Sequence, residues 1–149
     1  VMCERIECDP TENYIALRLN DVLFEVDHAY AVGGEYQALQ YIVDEVGTSL
    51  ASNESVLAAF AVAHLSNRGS LEATDATERS AYRAASLGAK LGGDSDTIAA
   101  MACAMVAAFG HWDEFDQKAA LAVCSTNALD LAPRANALAR LRENSRDDI

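Results

Sequence analysis

A chain of 149 residues has the length of one domain, and its 51% apolar content, carried by Ala, Leu and Val with only 7% aromatics, favours closely packed helices over a sheet sandwich. Its 23 acidic against 11 basic side chains leave a formal net charge of −12, which repels phosphate backbones and excludes nucleic acid as a natural partner. No apolar run approaches the roughly 18 to 20 residues of a membrane span, and Val1-Met2-Cys3-Glu4-Arg5 lacks the basic-then-apolar layout of a signal peptide, so a soluble, cytoplasmic protein with no membrane partner is expected.

Asp9 and Pro10 supply an N-cap and a first helical residue, with Glu12 three places after the cap, and open a helix expected to run to about Ala31. Within it Ile15, Leu19, Val22, Leu23 and Val26 form an apolar stripe. Gly33-Gly34 breaks the chain, and Tyr36, Leu39, Ile42, Val43 and Val46 mark a second helix ending at Gly47. Ser52 or Asn53 caps a third, carrying Val56, Leu57, Phe60, Ala61 and Leu65 and closing at Asn67-Arg68-Gly69. Asp75 and Glu78 have the spacing of a capping box for a fourth, through Ala76, Tyr82, Ala85 and Leu87 to Gly92-Gly93.

Residues 96–109 are apolar on nearly every face, as in a central helix enclosed by others, with Gly110 as its stop. Residues 111–116 read as a connecting turn, 117–129 and 133–142 as two further helices, and 144–149 as a frayed, charged tail. The sequence contains no strand-like alternation and no repeat. The expected fold is all-α, a helical bundle or an orthogonal helical array, forming a single unit over 1–149. Beginning at Val1 rather than a methionine fits a piece cut from a longer chain.

Cys3, Cys8, Cys103 and Cys124 are too few and too scattered for a disulfide framework. His28, His64 and His111 lack metal-site or triad spacing, and Ser66 two places after His64 does not make a nucleophile pair. Met101 and Met105 read as core filler, and Asp113, Glu114 and Asp116 as solvated surface.

The chemistry concentrates in Gly92-Gly93-Asp94-Ser95-Asp96-Thr97. Two glycines permit positive φ and close approach to the backbone, directly before the N-terminus of the most apolar helix, where free N–H groups and the positive end of the dipole lie. Helical positions two apart point about 200° from each other, so Asp94 and Asp96 converge only with Asp94 in the loop and Asp96 in the first turn. Carboxylate and hydroxyl oxygens are hard ligands, suited to Mg²⁺, Mn²⁺ or Ca²⁺. An EF-hand is excluded, since no glycine stands at the sixth loop position and no glutamate at the twelfth. Locally, Asp94 also reads as a plain N-cap with Asp96 placed near the dipole.

The stretch from Leu91-Gly92-Gly93-Asp94-Ser95-Asp96-Thr97 through Ile98, Ala99 and Ala100 to Phe109-Gly110 resembles the carboxyl-terminal signature of the ADP-ribosylglycohydrolase family. There a Gly-Gly-Asp-x-Asp-Thr loop leads into a small-residue helix ending in aromatic-Gly. Glu54-Ser55-Val56-Leu57-Ala58-Ala59 is similar to the family's Glu-Ser-Val-Pro-x-Ala segment, with Leu57 where a proline is common. The resemblance covers roughly residues 45 to 125.

It implies an all-helical, two-metal hydrolase, usually with Mg²⁺ and with Mn²⁺ as a substitute, that removes ADP-ribose from modified proteins or related compounds. Asp94, Asp96 and Thr97 would be metal ligands, and Gly92, Gly93 and Ser95 would shape the loop or lie beside the substrate. The family's Thr-Asp-Asp motif and Gly-rich opening belong to its amino-terminal half and do not occur here. The nearest likeness, Ser145-Arg146-Asp147-Asp148, lies downstream and reads as a solvated terminus. The chain is therefore expected to supply half a site, completed by an amino-terminal segment or chain. The alternative is a non-catalytic helical module that binds ADP-ribose or a partner protein.

Overall fold

The computed structural model describes residues 14–68, 81–109 and 114–147, with side chains described for 15–68, 81–109 and 117–141. Every regular element among the described residues is helical: α1 (Tyr14–Tyr41), a π-helical turn (Ile42–Val46), α2 (Ser52–Arg68), α3 (Ala81–Ala89), α4 (Ser95–Ala108), α5 (Glu114–Thr126) and α6 (Ala132–Asp147). The proposed opening at Asp9, the Asp75–Glu78 capping box, Gly110, His111, Cys3 and Cys8 lie outside the described residues. None of the described helices is long and apolar enough to cross a membrane. The chain divides into two compact units, Val1–Asp113 and Glu114–Ile149.

In the first unit the expected break at Gly33-Gly34 is present: neither residue has helical φ and ψ, and Gly34 is at φ +68°. Before the break, Val22, Val26 and Ala29 are buried, with Ile15 and Leu19 packed against them. After it, Ala38, Ile42 and Val46 continue the buried line. Tyr36 and Val43, two of the residues that mark this second helix in the sequence, are exposed. The π turn closes where the Gly47 N–H donates to the Ile42 carbonyl at 3.0 Å, and this wider turn keeps Ile42 and Val46 inward.

The helix enclosed by others is α2, not α4. It packs against α1, the π turn, α3 and α4, and buries Leu57, Ala58, Ala59, Ala61, Val62, Ala63 and Leu65. Phe60 on the same helix is partly exposed. On α4 only Ile98, Ala102 and Val106 are buried, whereas Ala100, Ala104 and Ala108 face outward. The expectation of an enclosed α4 fails for a physical reason: its large side chains sit on one side, and the other faces are alanines that gain little from burial. Met101 and Met105 pack against the core, as read. α3 lies so close to α4 that a Cβ on Gly88 would stand 2.7 Å from the Ala99 Cα.

Glu35, just past the break, accepts from Arg83 at 3.2 Å and from Lys90 at 2.8 Å, linking the second half of α1 to α3 and to the residue that follows it. Such partly solvated pairs contribute about 0 to 1 kcal/mol each.

In the second unit α5 begins at Glu114, so residues 114–116, expected in a turn, are helical. The Asp130 carboxylate accepts the Ala132 N–H at 3.2 Å at the start of α6. That helix runs on to Asp147, past the 133–142 span read from sequence and through most of the expected frayed tail.

Candidate metal centre

The loop between α3 and α4 is built on two consecutive left-handed glycines, Gly92 at φ +76° and Gly93 at φ +61°. Gly93 is required twice over, by its φ and by space. A Cβ there would overlap the Thr48 carbonyl oxygen and stand 2.6 Å from the Thr48 hydroxyl. The next residue completes the contact, as the Asp94 N–H donates to the Thr48 carbonyl at 2.7 Å. The loop is thus seated on the turn that precedes α2.

Asp94 occupies the N-cap place of α4, and its carbonyl accepts the Ile98 N–H at 3.1 Å, but its side chain caps no backbone N–H. Instead its Oδ1 accepts from the Thr97 hydroxyl at 2.9 Å. The plain N-cap reading is therefore incomplete, because the carboxylate is turned to a side-chain partner. Ser95 opens the helix half-buried, and Asp96 and Thr97 stand exposed in its first turn. Gly92 has open space where a Cβ would be.

Ser49, Leu50, Ala51, Gly93 and Asp94 line an open depression of about 540 Å³. The start of the Glu54–Ala59 segment and the Gly92–Asp94 loop, 40 residues apart in sequence, thus meet through this turn. The Glu54 carboxylate accepts the Ser49 N–H at 3.0 Å. Its pKa is held below the ordinary value by hydrogen bonds from the Ser49 hydroxyl and then from the Ser49 N–H. The helix it introduces starts at the Ala51 carbonyl, which accepts from Glu54 and Ser55 at 2.9 Å. Neither Ser52 nor Asn53 is thus the capping residue.

The donor chemistry fits a hard divalent cation. Asp94 Oδ1 and Thr97 Oγ1 are both hard oxygen donors, held side by side by a hydrogen bond of ordinary length, 2.9 Å. The ligand count is incomplete: among the described residues no group of three or more His, Cys, Asp or Glu side chains is placed to hold a metal.

One polar cluster escaped the sequence reading. Asp27 on α1 receives His64 Nε2 at 2.6 Å on one oxygen and Arg68 on the other, tying the end of α2 to α1. Ser66 is buried and donates to the Ala63 carbonyl at 2.7 Å, so no serine nucleophile joins the histidine. No sequence spacing signals a pair 37 residues apart. Neither Cys103 nor Cys124 is in a disulfide. No family model, no curated protein and no solved structure matches the chain.

Proposed function

We propose that the chain supplies half of the divalent-metal site of a hydrolase similar to the ADP-ribosylglycohydrolases, with an orthogonal all-helical fold completed by an amino-terminal segment or chain. The observation that carries the reading is the Asp94 carboxylate, which stands at a helix start without capping a backbone N–H and is instead hydrogen-bonded to the Thr97 hydroxyl, so that two hard oxygen donors stand side by side. The turn at residues 48–51 supports it, since it contacts both Glu54 and the Gly93–Asp94 part of the loop, and those are the two stretches that carry the family resemblance. The outward strip of Ala100, Ala104 and Ala108 beyond Thr97 offers a small-residue surface that a completing piece can approach closely.

In this reading Asp94, Asp96 and Thr97 hold Mg²⁺, or Mn²⁺ in its place. Gly92 leaves backbone room for a ribose, Gly93 shapes the loop by letting it seat on Thr48, and Ser95 lies beside the ribose. The cation supplies polarisation of a water and orientation of ribose hydroxyls. The side chains of this half fix the oxygens in place before substrate arrives, and the completing piece adds the acidic ligands of a Thr-Asp-Asp motif. The substrate is an ADP-ribosylated protein or a related ADP-ribosyl compound, and ADP-ribose is released by hydrolysis.

The test measures release of ADP-ribose from modified protein by this chain, by the chain co-purified with a family-type amino-terminal segment, and by that pair carrying Asp96→Asn. Activity is expected only in the unmodified pair. Robust turnover by the chain alone would overturn the half-site reading. A pair that binds Mg²⁺ and stays inactive would favour the non-catalytic module that binds ADP-ribose or a partner.

A further inference from the structure

The turn on which Asp94 rests is held from its other side by a single residue. Thr48 C=O accepts the Asp94 N–H at 2.7 Å, and Ser49 N–H donates to the Glu54 carboxylate at 3.0 Å. That carbonyl and that N–H belong to one peptide group. Because a peptide is planar, fixing the direction of its N–H fixes the direction of its C=O. A carboxylate at the N–H end also polarises the unit and strengthens the carbonyl as an acceptor.

The surroundings leave this peptide little freedom. The Gly47 N–H is tied to the Ile42 carbonyl, and a Cβ at Gly47 would stand 2.5 Å from Glu54 Oε2, so the carboxylate lies directly against the turn. On the far side, the Ala51 N–H donates to the Ser49 hydroxyl at 3.2 Å. Glu54 itself is the third residue of α2, whose first turn is anchored on Ala51.

We propose that Glu54 is a positioning residue for the candidate metal loop: through the Thr48–Ser49 peptide it sets the place of Asp94 without being a ligand itself. The functional part of this inference rests on the metal-site reading above, whereas the mechanical part does not. Reach matters as much as charge. Glu54→Asp keeps a negative charge at the start of α2, where the dipole favours it, but is one methylene too short. Glu54→Gln loses the charge and keeps an acceptor oxygen at the right distance.

The experiment uses the full chain, with amide exchange followed by NMR in the absence of metal. The Asp94 amide is expected to exchange at least about tenfold faster in Glu54→Ala and Glu54→Asp, and within about threefold of wild type in Glu54→Gln. Val62 and Leu65 amides in the middle of α2 should be unchanged in all three, which separates loss of the seat from general unfolding. An Asp94 amide equally protected in wild type, Glu54→Ala and Glu54→Asp would overturn the proposal.

Paramagnetic broadening of the Asp94, Asp96 and Thr97 amides by Mn²⁺ forms the second arm. The Ala and Asp variants are expected to need roughly 10 to 100 times more Mn²⁺, the usual penalty for removing a residue that orients a ligand, with Gln close to wild type. Equal Mn²⁺ sensitivity in all variants, with wild type responding, would overturn the positioning role. Absence of broadening in wild type co-purified with the completing amino-terminal segment would count against the metal reading, while the exchange arm decides the link from Glu54 to Asp94 by itself.

Discussion

α2 and α4 invert what their compositions suggest. α4 carries one charged residue, Asp96, and buries only Ile98, Ala102 and Val106. α2 includes Glu54, His64, Ser55 and Ser66, yet is buried over most of its length, both serines included. Apolar content measures tolerance of burial, and neighbours decide whether burial happens. α2 has α1, the π turn, α3 and α4 around it. It accommodates Ser66 by bonding the hydroxyl to its own helix, at the Ala63 carbonyl.

The largest effect that would sharpen this contrast is at Leu57, which is wholly buried on α2. Leu57→Ala is expected to lower the unfolding free energy by about 2 to 5 kcal/mol in denaturant titrations. A loss well under that range would mean α2 is not the centre of the first unit. Next comes a pair on one helix: Ala102→Leu should cost about 1 to 3 kcal/mol by overpacking, while Ala104→Leu should stay within about 0.5 kcal/mol of wild type. Equal penalties at the two sites would restore the picture of α4 as an enclosed helix and break the comparison.

The smallest effect concerns Glu54. Its folded pKa lies below its unfolded one, so on acidification the unfolded chain takes up the proton first. The stabilisation is therefore present above the unfolded value and is lost as pH falls through the folded value. Wild type and Glu54→Gln should differ most near neutral pH and converge as pH falls through and below the ordinary glutamate range. A difference independent of pH would show that Ser49 does not distinguish the charged from the neutral carboxyl.

Much of the helical layout was legible because glycine marks its breaks: Gly33-Gly34, Gly47 and Gly92-Gly93 each stand where the chain turns. Ends without such markers were missed. Asp113, Glu114 and Asp116 looked like solvated surface in a connecting turn, yet α5 begins at Glu114. The Arg-rich end of α6 contains no helix breaker, so the helix continues beyond Arg142 to Asp147.

In the candidate site, the loop and its three candidate oxygen donors were visible as a motif, and the contact of Asp94 with Thr97 follows from their three-residue spacing. The seat beneath them was not. Its atoms are the carbonyl of Thr48 and the N–H of Ser49, and backbone groups carry no signature in a sequence. The Asp27–His64 pair was hidden for a related reason, because only packing of α1 on α2 brings the two together.

The closeness of α3 to α4 at Gly88 and Ala99 also bears on the order of assembly. Residues 90–94 are a short connection, so closing this helix pair forfeits little chain entropy, and it is the kind of local contact that forms early. The partner of Asp94 lies 46 residues upstream at Thr48, and Glu35 meets Lys90 from 55 residues away; these contacts await the arrival of α1 and α2. Loop closure and loop registration are then separate events in time. Changes at the Gly88–Ala99 contact should act on the folding rate, and changes at Glu54 on the unfolding rate.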